Sequence, residues 1–540
     1  MKKHTITALL IVFASGASAQ IAEMEALKYS QTQIKGTARY MGLGGAFTSL
    51  GGDISSITDN PAGIAVYRSK ELAATVGFGN IATSTKQEGN SQSNSLFKFT
   101  FDNLGYVGTV NTENSESSIK NWNFGFVYNR KNSYNRNYRS RGNIRNGSSS
   151  LTDYIANKTN TYKLNRNGRE DFIYANDLEF SSNYNPYYDS EIPWLSILGY
   201  QGFLIDAVRD ENNTEFFDSH FVDENGPLPM SGTSMDVSER GYVDDYNIAL
   251  GMNYSHMLYV GLSLGIQSIL HTWNSTYSES FENGNGFDLI NTRELNGSGV
   301  NFNIGFILRP TYSWRIGLAY HSPTFYSMTS TYWGQLHYDV FDGNQLVSDK
   351  TGTPGSFGDE EYPYTDFNLV TPQRLSVGTS FLGEKGLLSI DYEFCDFSML
   401  KIKDDRNYNT TPEDLDKVFT GMHTIKLGGE LRLSDAFSLR AGYAHSTSPM
   451  TSDAKNGKME LFTSGTVPHY TVEKGRNYFS AGFGYRNKNI FLDMVYALNT
   501  QTEDIYPFAP VSDENVNISP TVSTLTTARN NVLLTFGVKF

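Results

Sequence analysis

A single cysteine, Cys395, serves a chain of 540 residues. That excludes an intramolecular disulfide and a cysteine-rich metal site. Histidine is sparse as well, nine in all. No HExxH, no phosphate-loop string GxxxxGK[ST] and no EF-hand spacing is present. Neither cofactor nor metal is expected, and calcium would have only loop acids such as Asp349, Asp404 and Asp405. Ser389 or Ser480 with a distant histidine is the enzyme alternative; no local motif marks it, so the chain reads as a non-enzyme. Basic residues number 43 against 57 acidic ones, a net charge of −14, which argues against nucleic acid. After the N-terminus no stretch is long and apolar enough for a transmembrane helix.

What is present is alternation. Counting back from the C-terminus by twos gives Phe540, Val538, Phe536, Leu534 and Val532, all apolar; Lys539, Gly537, Thr535, Leu533 and Asn531 lie between. A strand puts these sets on opposite faces, one greasy and one wet. At the other end Lys2 and Lys3 precede the apolar run Ile6–Phe13 and then Ala17-Ser18-Ala19. This is a signal-peptide pattern, with residues 1–19 removed and Gln20 first in the mature chain. The run is too short to span a bilayer.

From about residue 69 the alternation recurs at Trp122–Tyr128, Ile248–Tyr254, Val260–Ile266, Val300–Leu308, Trp314–Tyr320, Leu375–Phe381 and Leu388–Phe394. It continues at Ile425–Leu433, Phe437–Tyr443, Phe479–Tyr485 and Ile490–Leu498. Weaker candidates at 70–81 and 96–111, with the terminal strand, bring the total to fourteen. Connections near 255–258, 309–313, 383–386, 434–436 and 487–489 are short; those near 134–240, 276–295, 342–365, 404–421, 447–475 and 501–526 are long. Short and long in turn are what periplasmic turns and outer loops produce. The expected fold is all-β: a transmembrane antiparallel β-barrel of about 14 strands over 69–540, in the bacterial outer membrane. A mean hydropathy of −0.40 is compatible, because half of each strand faces a polar lumen. Aromatics at 14% and 49 glycines fit aromatic girdles and close strand packing.

Residues 20–68 do not read as strands. They hold Gly36, then Gly42-Leu43-Gly44-Gly45-Ala46-Phe47, Gly51-Gly52-Asp53 and Asp59-Asn60-Pro61-Ala62-Gly63. Asn60 before Pro61 is a helix-start signal. A compact element of loops and short helices follows, sized to plug a fourteen-stranded lumen. Gly42-Leu43-Gly44-Gly45-Ala46-Phe47 followed by Asn60-Pro61-Ala62 resembles the hatch of the FadL/TodX family of outer-membrane transporters for long-chain fatty acids and other hydrophobic compounds. The resemblance implies fourteen strands, ends on the periplasmic side, and passive uptake: capture by outer loops, a lumen pocket, and sideways release past the hatch. It implies hatch or gating roles for Gly42, Gly44, Gly45, Asn60, Pro61 and Ala62. The loops do not match the family recognisably. A surface adhesin or structural barrel without transport is the alternative function.

With the apolar parity toward lipid, the lumen receives Arg315, Arg374, Asp391, Glu393, Lys426, Glu430, Arg432, Arg440 and Asp493. These ions either pair across strands and stiffen the wall or anchor a plug or a carboxylate head group. In the long connection at 134–240, Pro193 starts a helical pattern. Trp194, Leu195, Leu198, Phe203 and Leu204 then either pack on their own loop or line a capture surface for greasy ligands. The acid-free run Arg130, Lys131, Arg136, Arg139, Arg141 and Arg145, with Tyr134 and Tyr138, is a candidate contact for lipopolysaccharide in the outer-membrane lipid. The aromatic chain end is a candidate signal for the barrel assembly machinery.

Overall fold

The computed structural model describes residues 23–540 except 113–116, 167, 224–225, 283, 343–344, 359–361, 405–411, 462 and 514–515. The leader at 1–19 and Asp405 lie outside the described residues. No helix among those described is long and apolar enough to cross a membrane.

Fourteen antiparallel strands close into a barrel. They are β1 (Glu71–Gln87), β2 (Asn90–Asn111), β3 (Ile119–Ser133, continued by Arg136–Gly142), β4 (Met230–Tyr254), β5 (Leu258–Phe281) and β6 (Gly286–Leu308). Next come β7 (Trp314–His321, resumed at Phe325–Asp342), β8 (Tyr364–Val370, resumed at Arg374–Gly383) and β9 (Gly386–Asp396, resumed at Lys401–Asp404). The last are β10 (Gly421–Arg432), β11 (Phe437–Thr447), β12 (Tyr470–Asn487), β13 (Ile490–Tyr506) and β14 (Ser523–Lys539). Closure is by β14 on β1, from Glu71 opposite Lys539 to Lys86 opposite Thr524.

Alternation sets the faces. On β5, Leu262, Leu264 and Ile266 are exposed outward while Tyr259, Ser263 and Gln267 are buried inward. The same holds for Leu250 against Ala249 on β4 and for Val532 against Leu533 on β14. An outer apolar belt of this kind is what lipid demands, because a Lys or Arg at its midplane would cost about 2–4 kcal/mol.

Three of the expected long loops are shorter than expected. Pairing of β5 with β6 runs up to Ser280 opposite Gly286, so the connection expected at 276–295 is a tight turn. The continuation of β3 pairs with β4 as far as Gly142 opposite Thr233, which shrinks the connection expected at 134–240 to 143–229. A further hairpin, Gln345–Gly352 on β7, occupies part of 342–365. The reason is solvent. Above the membrane both faces of a strand are wet or covered by loops, so the ladder continues while the apolar period stops.

Residues 23–67 form α1 (Glu23–Ser30), α2 (Ala38–Gly42), α3 (Ser56–Asp59) and a 3₁₀ turn, Pro61–Val66. Their buried side chains pack on inward residues of the barrel: Leu43 and Phe47 share a cluster with Val495 and Leu533, and Ile54 and Ile57 with Val107 and Val127. Helix α1 joins instead the large core beneath the outer loops, with Trp273, Phe221 and Tyr134.

Candidate functional site

The seat of the N-terminal segment is built from glycines and charges on the inner wall. Asn60 caps the 3₁₀ turn by accepting the Ala62 N–H at 3.0 Å. Its amide donates to the Thr48 carbonyl at 2.6 Å and faces the carbonyls of Phe306 on β6 and Leu318 on β7 at 3.3 and 3.4 Å. One asparagine thus ties the segment to itself and to two wall strands. Such close approach needs bare backbone opposite: a Cβ on Gly305 would lie 1.8 Å from the Asn60 Oδ1. Gly44 has φ +64°, the left-handed conformation that favours glycine, and lies against the backbone of Tyr443. Gly42 has no such need, since a Cβ there would meet Arg440 at an ordinary 3.6 Å. Pro61 and Ala62 lie over Gly261 of β5.

The inward charges both pair across strands and hold this segment. Arg440, its side chain 1% exposed, bonds Glu430 at 2.7 Å and Asp493 at 2.5 Å; Glu430 also meets Arg39 of α2 at 3.4 Å. Lys426 bridges Glu393 at 3.1 Å and Asp59 of α3 at 3.8 Å, and Arg374 pairs with Glu393 at 3.4 Å. Asp391 accepts the Thr48 N–H at 2.7 Å, and the Arg315 guanidinium donates to the Leu50 carbonyl. Burial drives the Asp59 carboxyl above its ordinary range. Arg432 is the exception among the expected lumen charges. It is exposed at the turn after β10, where its N–H meets the Lys385 carbonyl at 2.8 Å, because the strand has already left the lumen.

Between β2 and β3 the wall divides. Their pairing runs from Asn111 opposite Asn121 to Asn103 opposite Asn129 and stops. Above that, β3 leans over the inner face of β1, where Thr83 and Thr85 donate to the carbonyls of Asn137 and Arg139. The upper part of β2 pairs with β1 alone and bares its outer face, with Phe97 68% and Phe99 61% exposed, while Leu96, Lys98 and Thr100 on the other face are half-buried. A register shift at Thr75/Val76 makes Asp102 the extra residue of a bulge at the division. Lys35, between α1 and α2, meets Asp102 at 3.1 Å.

At the heart of the barrel is a cavity with about 1220 Å³ of empty space, part of it open to solvent. Its lining is rich in polar groups: Lys131 of β3, Asp245 of β4, Asn303 of β6, His321 of β7, Arg374 of β8 and Glu393 of β9, beside residues 29–35 and Asp59. Helix α1 lies toward the outer loops. It is held by Lys28 to Glu239 at 3.3 Å and the Tyr29 hydroxyl to His271 Nδ1 at 2.9 Å.

The outer-loop helix, Trp194–Gln201, is covered. Trp194 is 3% exposed, edge-on to Tyr187 and tilted against Tyr332, and Leu198 and Leu204 are buried; Leu195 is partly buried against the same core. Phe203 alone of the five is exposed, with φ +53°. This segment packs on its own loop and on β7, so it does not present the open apolar surface considered as a capture site. The helix is too apolar to leave in water, and Leu336 seals it at Gly202. The basic run is likewise not a free patch. Arg136 is buried between Glu239 and Glu503, Arg130 meets Asp244 at 2.7 Å, and Arg139 and Arg141 face Asp236. Those acids come from other strands, which sequence proximity does not reveal.

Neither Ser389 nor Ser480 is bonded to a histidine among the described residues; Ser389 faces the Thr379 carbonyl at 3.5 Å. Gly261-Leu262-Ser263-Leu264-Gly265 has the GxSxG form. It lies mid-strand in β5, without the strand–turn–helix elbow that form needs, and Ser263 accepts from Asn303 at 2.8 Å. Among the described residues no cluster of His, Cys, Asp or Glu suits a metal ion, and Cys395 is buried and free.

The sequence model of the outer membrane protein transport proteins (OMPP1/FadL/TodX) matches residues 244–535, more than half of the chain. The chain belongs to the OMPP1/FadL/TodX family. It is an outer-membrane β-barrel transport protein, and family members are transporters and channels rather than enzymes. A FadL homologue from Pseudomonas aeruginosa is similar in structure, with a TM-score of 0.51 and 12% identity over 97% of this chain and 100% of that one. The toluene transporter TodX of P. putida gives 0.49 and 11% over 94% and 99%. The toluene transporter TbuX of Ralstonia pickettii gives 0.44 and 12% over 94% and 99%. At these identities the likeness is one of fold. Comparison with curated proteins finds no match.

Proposed function

We propose that this FadL/TodX-family barrel takes up hydrophobic small molecules, with long-chain fatty acids as the reference substrate, and releases them sideways between β2 and β3. Residues 20–68 act as the hatch, and Gly44, Gly45, Asn60, Pro61 and Ala62 hold its shape. The observation that carries this is the division of the wall at Asn103/Asn129, next to the cavity and tied to the hatch by Lys35 and Asp102. A ligand in the cavity that drew Lys35 away would free the bulge that marks the division. Unpaired backbone in hydrocarbon costs several kcal/mol per group, so the exposed edge of β2 belongs at the outer rim of the membrane or against a passing ligand. The exposure of Arg139, Arg141 and Arg145 supports a contact with lipopolysaccharide at that rim.

The test uses cells lacking other fatty-acid transporters and a radiolabelled long-chain fatty acid. The intact protein should support saturable uptake. Lys35→Met should change its rate severalfold while the barrel still assembles. Assembled protein that takes up no hydrophobic probe would return the chain to the adhesin or structural reading.

A further inference from the structure

Several polar atoms that line the cavity have no hydrogen-bond partner, among them Ser30 Oγ, Asp59 Oδ2 and Asp245 Oδ1, and two of the side chains there ask for opposite things. Lys131 of β3 lines the cavity, and among the described residues its ammonium makes no hydrogen bond or ion pair; Asp245 on β4 attracts it without touching. The other lysine and arginine of the adjoining wall, Lys426 and Arg374, are both engaged by Glu393. His321 of β7 lines the same cavity and is buried, 4% exposed. Its Nδ1 lies 2.9 Å from the Asn303 Oδ1, while the Asn303 amide nitrogen donates to Ser263 at 2.8 Å. A carboxamide oxygen only accepts, so Nδ1 carries the hydrogen. The other ring nitrogen, Nε2, is then a bare acceptor, and it has no partner.

A cation that no anion touches, its nearest acid Asp245 standing off, and an acceptor without a donor together suit one kind of ligand head group. We infer that the cavity seats a long-chain acid that carries an O–H or N–H donor within a few bonds of its carboxylate. A hydroxylated fatty acid and an N-acyl amino acid both have this pattern. The carboxylate lies toward Lys131 and the donor toward His321 Nε2. An unfunctionalised hydrocarbon would leave the buried His321 Nε2 without a donor and the half-buried Lys131 without a touching counter-ion, which the wall of a hydrocarbon channel should avoid. The inference rests on the uptake reading above and narrows its substrate class.

The test measures binding of three sixteen-carbon probes to the full mature protein in lipid nanodiscs: 3-hydroxyhexadecanoic acid, hexadecanoic acid and methyl hexadecanoate. The hydroxy acid should bind about tenfold tighter than the plain acid, the scale of one hydrogen bond to an otherwise unpaired buried acceptor. His321→Leu should bring the two acids within about twofold of each other. Lys131→Met should weaken both acids about tenfold or more and leave the methyl ester unchanged. Equal affinity of the two acids for the wild-type protein, which needs no variant to fold, overturns the assignment and leaves the uptake reading standing. A preference that survives in folded His321→Leu also overturns it. If no probe binds, the uptake reading falls with it.

Discussion

Pro323 of β7 and Pro372 of β8 stand directly opposite each other, since His321 pairs with Arg374 below them and Phe325 with Val370 above. Neither has an N–H for the ladder. Two prolines face to face in the middle of a sheet would normally break it. Here side chains mend the gap. The Thr324 N–H donates to the Thr371 hydroxyl at 2.9 Å, the Thr371 N–H to the Thr324 carbonyl at 3.1 Å, and the Phe302 N–H to the Ser322 hydroxyl at 2.9 Å. The break lies against the central cavity, which Ser322, Thr324, Thr371 and Pro372 help to line.

Thr371→Val should therefore destabilise the barrel more than its small change in shape suggests. It strands the Thr324 N–H in a buried wall, which costs about 1–3 kcal/mol. Thr371→Ser keeps the acceptor and should cost less. Urea unfolding in lipid vesicles reads the difference; a Val variant as stable as the Ser variant would show that the hydroxyl does not mend the ladder.

Gly305→Ala should loosen the hatch without harming the barrel. The new Cβ would overlap the Asn60 Oδ1, which sits 1.8 Å from its position. Asn60 then loses its place against β6 and β7. Small-solute conductance in planar bilayers should rise severalfold, with heat-modifiable mobility unchanged. Gly383→Ala is the control, because its Cβ would meet nothing closer than 3.7 Å. Equal conductance in the two variants would sink the idea that this contact seats the hatch.

The barrel was legible because lipid imposes a period of two on every crossing strand, as Leu262, Leu264 and Ile266 show. The same parity placed Arg440, Asp493 and Glu393 inward. It misplaced only Arg432, where parity persists past the end of the lumen. The mending at Pro323 and Pro372 was invisible, because it depends on register between strands far apart in sequence. So was the role of Gly305: a strand glycine shows in sequence, but the asparagine that needs the space is Asn60. Lys131 read as part of a basic surface run, yet it lines the cavity as the extra residue of a bulge on β3, while Arg130 bonds Asp244. The bulge puts Lys131 and Asn132 on the same side, which a strict period of two does not foresee.

Trp194→Ser with Leu198→Ser should act on stability of the outer cap rather than on ligand capture. Both residues are buried in the core beneath the loops, and large-to-small changes at such sites cost about 2–5 kcal/mol each. Limited proteolysis should cut the 143–229 connection faster in the variant while the transmembrane strands stay protected. An uncut loop combined with lost binding of a fatty-acid probe would restore the capture role.

Deleting Phe540 should impair assembly in cells far more than stability after assembly. Its ring is exposed on the outer face, 6.4 Å from Tyr106. Its backbone exchanges two hydrogen bonds with Lys70, at 3.0 and 3.1 Å, at the end of the closing seam. Each such bond is worth about 0.5–1.5 kcal/mol. The remainder of the seam, from Glu71 opposite Lys539 upward, does not need the last residue. Loss of those contacts is therefore too small to unfold a closed barrel, and a large fall in surface-exposed protein would have to come from recognition of the chain end. The expected result is near-normal unfolding of refolded protein with several-fold less assembled barrel in cells. Normal surface levels of the deletion would remove that recognition role and leave Phe540 as one more lipid-facing aromatic.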